Sequence, residues 1–215
     1  MHTTTFDIPT SNFTGEPAVV ADRIDVVEAT IRVLKRLDYH AATHDEVAAE
    51  LGVTLDAVTR HFPSWDGLVI ATMERWMSGR QAGIWDVALV RGAVPFLREL
   101  VKVNLDEPAL TRLQLAILCA ASNPSHPGHS YIRQQYVTLF GYVQHALGLD
   151  ITAGREPATM QPARGAEQLL AIYEGLQVQA MMRDFDLLEA FDRAATRLRH
   201  SWAEEYTAPD LGWIL

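Results

Sequence analysis

Cysteine is almost absent: Cys119 is the only one in 215 residues. No disulfide can form within the chain, and no cysteine-based zinc site can be built. Cys119 falls in an apolar run, which predicts a buried, inert thiol. No apolar run approaches the roughly 20 residues that span a bilayer. The first residues lack the basic start and apolar stretch of a secretory leader, so a cytoplasmic protein with no membrane partner is expected. Strand signals are nearly absent, as are internal repeats and low-complexity tracts. Positive charge is short as well: 18 Lys and Arg stand against 27 Asp and Glu, a formal net charge of -9. Catalytic constellations are missing, with no Ser-centred elbow, phosphate loop or His-Glu metal helix, so neither an enzyme nor a cofactor is expected. His126 and His129 lie three apart in a Pro/Gly loop. Without a third ligand they read as loop and helix-cap residues, and no metal site is assigned.

The pattern that remains is helical throughout. Its organising stretch runs from Tyr39 to Leu68 and reads as two short helices on a tight turn, followed by a third helix start. Thr43 with Glu46 has the spacing of a capping box. Gly52 supplies the left-handed residue of a sharp turn. Thr54 caps the next helix, whose Val58 and Phe62 point inward; Pro63 ends it and Ser64 caps another. Ala48, Gly52 and Val58 have the spacing of a helix-turn-helix.

Around this unit, residues 1–17 carry no Lys or Arg and no periodicity, and read as a flexible arm. Val20, Ile24, Val27, Ile31 and Leu34 mark an amphipathic helix from about Ala18 to Leu37. The helix-turn-helix domain is drawn at 18–64. From Ser64 a helix carrying Leu68, Met73 and Trp76 runs to about Gly83 and joins it to a second domain, drawn at 65–206. There, helices are expected over Pro95–Asn104, Pro108–Ala121, Tyr131–Leu149, Ala163–Met182 and Asp186–Tyr206. Pro108–Ala121 is apolar all round, which places it in the middle of a bundle. Asp150–Pro162, rich in Gly, Pro and Thr, reads as a mobile connection. Residues 207–215 form an apolar tail. The fold class is all-α: an N-terminal three-helix helix-turn-helix domain and a C-terminal helical bundle.

This order of motifs resembles the tetracycline-repressor (TetR) family of bacterial one-component transcriptional regulators. The resemblance rests on Gly52-Val53-Thr54 and on Arg60-His61-Phe62-Pro63-Ser64 followed by an acid and Leu68, all at the expected distance behind Tyr39 and Val47-Ala48. Asn123-Pro124, His126-Pro127 and the segment Glu174–Gln179 also look like segments common in the family. The likeness implies a helix Leu55–His61 that enters the major groove of an operator in double-stranded DNA. On it Thr54 and Thr59 reach a phosphate or base edge, Arg60 meets a phosphate or guanine, and Asp56 accepts from cytosine N4. Thr43 and Ser64 offer helix N-termini to phosphates. His61 suits packing at the helix end better than base reading.

Several of these positions depart from the family pattern. Asp38 stands where Gly is usual, Asp45 where Arg is frequent, Leu55 where Lys is common, Thr59 in place of an aromatic, and Trp65 where Lys commonly meets the backbone. Between Asp22 and Ile70 five basic residues face nine acidic ones, a balance of -4. That is the wrong sign for a surface meeting a polyanion.

One reader alone binds weakly, so a homodimer with recognition helices roughly 34–36 Å apart is implied. Leu169, Leu170, Tyr173, Ala180 and Met181 form one apolar stripe and Phe191, Leu198 and Trp202 another; together they predict a four-helix dimer interface. The resemblance also implies an apolar cavity between the middle helices. Its expected lining is Trp76, Trp85, Phe96, Leu100, Leu115, Cys119, Tyr136, Phe140, Tyr173 and Gln177, suited to a small apolar ligand. The expectation is a dimeric repressor released from its operator by that ligand. The alternative is a dimer of the same fold that has lost DNA binding and serves as a ligand- or protein-binding module.

Overall fold

Residues 21–81 and 83–204, which the computed structural model describes, form ten helices and no strand. In chain order these are α1 (Arg23–Arg36), α2 (His44–Leu51), α3 (Leu55–Thr59), α4 (Trp65–Gln81) and α5 (Trp85–Arg91). Then come α6 (Ala93–Asp106), α7 (Pro108–Ala120), α8 (His129–Thr152), α9 (Pro162–Met182) and α10 (Leu187–Trp202). The expected arm over 1–17 and the tail over 207–215 lie outside the described residues.

The first three helices form because their ends are specified one by one. Asp22 caps α1 and Asp25 returns the bond to the Asp22 backbone, a complete capping box. Thr43 caps α2 by accepting from Glu46 N, but Glu46 does not reciprocate, so the box expected there is only half formed. Gly52 ends α2 at φ 67°, a left-handed conformation that costs a residue with a Cβ. Thr54 accepts from Ala57 N and starts α3. Val47, Ala48, Val58 and Phe62 are buried against Val26, Ala29 and Val33 of α1.

That hydrophobic cluster does not stop at residue 64. It continues through Leu68, Val69, Met73, Trp76 and Met77 of α4 into Leu110, Leu113 and Ile117 of α7. A second cluster joins α6, α8, α9 and α10 around Phe96, Leu97, Leu147, Leu169, Leu170 and Phe191. The described residues therefore form two cores, with α4 running through the first and its Arg80 end reaching toward the second.

Three expectations change here. The helix α5 was not foreseen; it stacks Trp85 on Phe96 with ring centroids 5.2 Å apart. The connection 150–161 is tethered, not loose. Asp150 is buried, accepts from Ala93 N at the start of α6 and pairs with Arg155 at 2.7 Å, while Glu156 pairs with Arg199 and Thr159 Oγ1 donates to the Trp202 carbonyl. Gly92 (φ 103°) lets this happen, because a Cβ there would lie 2.6 Å from the Asp150 carboxylate. Finally, α7 is not enclosed on all sides. Its Arg112, Ala116, Cys119 and Ala120 face outward, so the thiol read as buried is exposed.

Candidate functional site

Two regions bring polar side chains together, one on the surface and one in a cavity. The first is the outer face of the helix-turn-helix. Thr43, Thr54 and Ser64 are exposed helix starts, and Ser64 Oγ accepts from Gly67 N at 3.2 Å. Leu55 and Asp56 are exposed on the first turn of α3. Thr59 lies on its last turn, with the hydroxyl returned to the Leu55 carbonyl at 3.1 Å. Arg60 follows, and its guanidinium is held by Asp56 at 2.6 Å. His61 points away: its Nε2 lies 3.1 Å from the Ala21 carbonyl, where it ties the end of α3 to the start of α1.

The other cations of this domain are also engaged. Arg32 and Arg36 both grip Glu50, each at 2.7 Å, and their hydrogen bonds hold its carboxyl below the ordinary range. Arg75 pairs with Glu28, Lys35 with Glu107, and Arg23 lies 4.4 Å from the Phe62 ring centroid. Of the nine acids read from the sequence, Glu28, Glu50 and Asp56 are taken up in ion pairs, while Asp22, Asp25, Asp38, Asp45, Glu46 and Asp66 make none among the described residues.

The second region is a narrow, partly open cavity with about 70 Å³ of free internal space, bounded by α4, α5, α6, α7, α8 and α9. Its polar heart is Arg80, on the last turn of α4. Arg80 donates to Asn104 Oδ1 and, at 2.8 Å, to Gln114 Oε1; its guanidinium carbon sits 4.1 Å from the Trp76 ring centroid. Asn104 in turn donates to the Tyr173 hydroxyl at 2.9 Å and to Gln177 Oε1. Trp76 Nε1 donates to Glu107, whose other oxygen holds Lys35 of α1. Burial lowers the pKa of Arg80, with Tyr173 and Glu107 opposing the shift. Glu174, on the cavity wall, is raised by desolvation despite a hydrogen bond from Tyr136.

Residues 26–72 match the sequence model for bacterial regulatory proteins of the tetR family. The amino-terminal helix-turn-helix thus carries the tetR-family sequence pattern. No curated protein matches the sequence. The full fold is that of TetR regulators. A TetR transcription regulator from Haloarcula marismortui superposes with a TM-score of 0.72 at 20% identity, over 83% of this chain and 96% of its own. A TetR-family regulator from Mesorhizobium loti gives 0.64 at 18% identity, over 84% and 94%. Thermus thermophilus FadR, a TetR-family repressor solved with lauroyl-CoA, gives 0.59 at 16% identity, over 87% and 98%.

Within this TetR fold the expected cavity residues divide. Trp85, Leu100, Leu115, Tyr136, Tyr173 and Gln177 line the cavity. Trp76 is buried in the first core with its indole turned to Glu107, Phe96 is fully buried under Trp85, Phe140 packs against the second core, and Cys119 opens on the outer face of α7. Arg80, Gln114 and Glu174 line it unforeseen. The one available signal for Arg80 was its place four residues after Trp76, where helical spacing puts a cation over an aromatic ring.

The expected dimer stripe needs the larger correction. Leu169, Leu170, Tyr173, Phe191 and Trp202 are buried inside their own chain, because they are the seam that packs α9 and α10 on α6 and α8. Ala180, Met181 and Leu198 are half-buried. The open face of α9 is instead Ala171, Gly175, Val178 and Met182, at helical spacing, with Met182 82% exposed. His126 and His129 bond to Gly128 N and the Ala121 carbonyl as turn residues, and the described residues include no cluster of three metal-ligating side chains. No described helix is long and apolar enough to cross a membrane.

Proposed function

We propose that this chain is a ligand-responsive transcriptional repressor that binds a near-palindromic operator as a homodimer. The observation that carries the reading is α4. It begins at Trp65, directly after Ser64 and beside the recognition helix, and its last turn places Arg80 on the cavity wall. One rigid element thus touches both the surface that reads and the space that senses. A small molecule in the cavity shifts the population toward a dimer whose recognition helices no longer match successive major grooves. The dimer forms through the open face of α9, where Val178 and Met182 otherwise expose apolar surface to water. On DNA, Arg60, Thr54 and Thr59 make the base and phosphate contacts, and the α2 and α4 N-termini at Thr43 and Ser64 hold the backbone. Asp56 accompanies Arg60, and Leu55 supplies an apolar contact suited to a thymine methyl group.

The pairing of Arg60 with Asp56, and of Arg32 and Arg36 with Glu50, favours a second reading: a TetR-fold dimer that senses a ligand without engaging DNA. Selection from random-sequence duplexes, followed by binding across a salt series, separates the two. Enrichment of a palindrome with a steep salt slope supports the repressor. No enrichment and no binding even at low salt supports the DNA-free dimer.

A further inference from the structure

The cavity holds a charge that its walls do not balance. Arg80 lines it, yet no described carboxylate lies within ion-pairing distance of its guanidinium; its partners are the neutral amides of Asn104 and Gln114. Its Nε is enclosed and has no hydrogen-bond partner among the described residues. Glu107, the nearest opposing charge, is already committed to Lys35 and to the Trp76 indole. A guanidinium stays protonated under all ordinary conditions, so burial cannot neutralise it. The one acid on the wall, Glu174, can relieve its own burial by taking up a proton, and its pKa is raised in that direction. The surplus in the cavity is therefore positive, and an unpaired enclosed donor is the costliest kind of polar group to leave unmet.

We propose that the cavity takes an amphiphilic organic anion, with a carboxylate on the Arg80 guanidinium and an apolar body among Trp85, Leu100, Leu115 and Leu139. This rests on the ligand-sensing reading above and narrows its apolar ligand to one with an anionic head. A carboxylate completes Arg80 with a planar, charge-assisted pair of bonds that neutral amides cannot match. The apolar body then packs against the Trp85, Leu100, Leu115 and Leu139 side chains of the wall, which part to admit it.

The test compares octanoate, 1-octanol and octyltrimethylammonium, which share a chain and differ in head charge, by calorimetry and by tryptophan fluorescence on the full-length protein. Octanoate is expected to bind at least tenfold more tightly than octanol, with octyltrimethylammonium weakest. Arg80→Met should bring octanoate down to the octanol affinity without changing octanol; Arg80→Lys should fall between. The comparison of the three ligands on the wild type stands even if a variant fails to fold. Octanol binding within twofold of octanoate, or a preference for the cation, overturns the anion assignment and leaves ligand sensing intact. Binding of none of the three overturns the sensing reading together with the inference.

Discussion

Replacing Asp56 with Asn should strengthen the hold on DNA. Asp56 and Arg60 lie one helical turn apart, 2.6 Å between charged atoms, with side chains 79% and 71% exposed. An exposed pair at this spacing contributes about 0.3–0.5 kcal/mol to stability, so losing it leaves folding nearly untouched. At the DNA surface the same change removes an anion and frees a guanidinium for a phosphate. Each phosphate neutralised steepens the logarithmic salt dependence of binding by about 0.9, hence by about 1.8 for two protomers. Between about 200 and about 50 mM salt, D56N should then gain roughly 12-fold more affinity than the unmodified chain gains. Fluorescence anisotropy on a selected operator across a salt series reads this directly, with Arg60→Ala in both backgrounds as the control. An unchanged slope with affinity within twofold refutes the masking argument. A loss of binding confined to one base pair would instead make Asp56 a base reader.

Met182→Glu, placed on the open face of α9, should shift a dimer toward monomer in sedimentation velocity without lowering the melting temperature; an unchanged assembly would place the interface elsewhere. Cys119 should react with a maleimide in the native state at close to the rate seen in denaturant, and strong protection would contradict its exposed position on α7. Asp150→Ala removes the acceptor for Ala93 N and the partner of Arg155. Two charge-assisted bonds in a buried setting predict a loss of about 3 kcal/mol, a fall in melting temperature of ~6–12 °C for a chain of this size. Burial pushes the Glu107 carboxyl up, but bonds from Lys35 and Trp76 outweigh it and hold it below its ordinary value. Its contribution is therefore present above the unfolded carboxylate pKa and lost as pH falls through the lowered folded one. Glu107→Gln should flatten the decline in urea midpoint on the acid side, and parallel pH profiles for the two proteins would count against this.

The helix-turn-helix was legible because its instructions are local. Thr43, Gly52, Thr54 and Ser64 each fix a helix end within four residues of themselves, and Val58 and Phe62 follow at helical spacing. Distant partners were not legible. Asp150 and Glu156 sit in a stretch whose Gly, Pro and Thr content reads as loose, yet Ala93 and Arg199, far off in the chain, anchor it. α5 went unseen because its seven residues, enclosed between Gly83 and Gly92, give too short a periodic window. An apolar stripe such as Leu169–Tyr173 announces burial but not the identity of the covering surface, which here is the same chain. Cys119 shows the converse, an apolar neighbourhood that the fold leaves open. Arg80 was hidden for a third reason: a lone Arg near a helix end looks solvated until the helices that enclose it are placed.

The length of α4 sets a gearing ratio. Its 17 residues span ~25 Å at about 1.5 Å each. A tilt of ~5° about its Trp65 end displaces the Arg80 end by ~2 Å, roughly the adjustment that separates an amide partner from an incoming carboxylate. In the proposed dimer the same small rotation, pivoting at the Arg80 end, would carry the recognition helix of each protomer by a comparable distance, and two-fold symmetry would double the change in their separation. Because Leu68, Val69 and Met73 fix this rod in the amino-terminal core, it cannot absorb the motion by bending freely. In the proposed repressor, a chemical event the size of one hydrogen-bond exchange would thereby become a mismatch with the pitch of DNA.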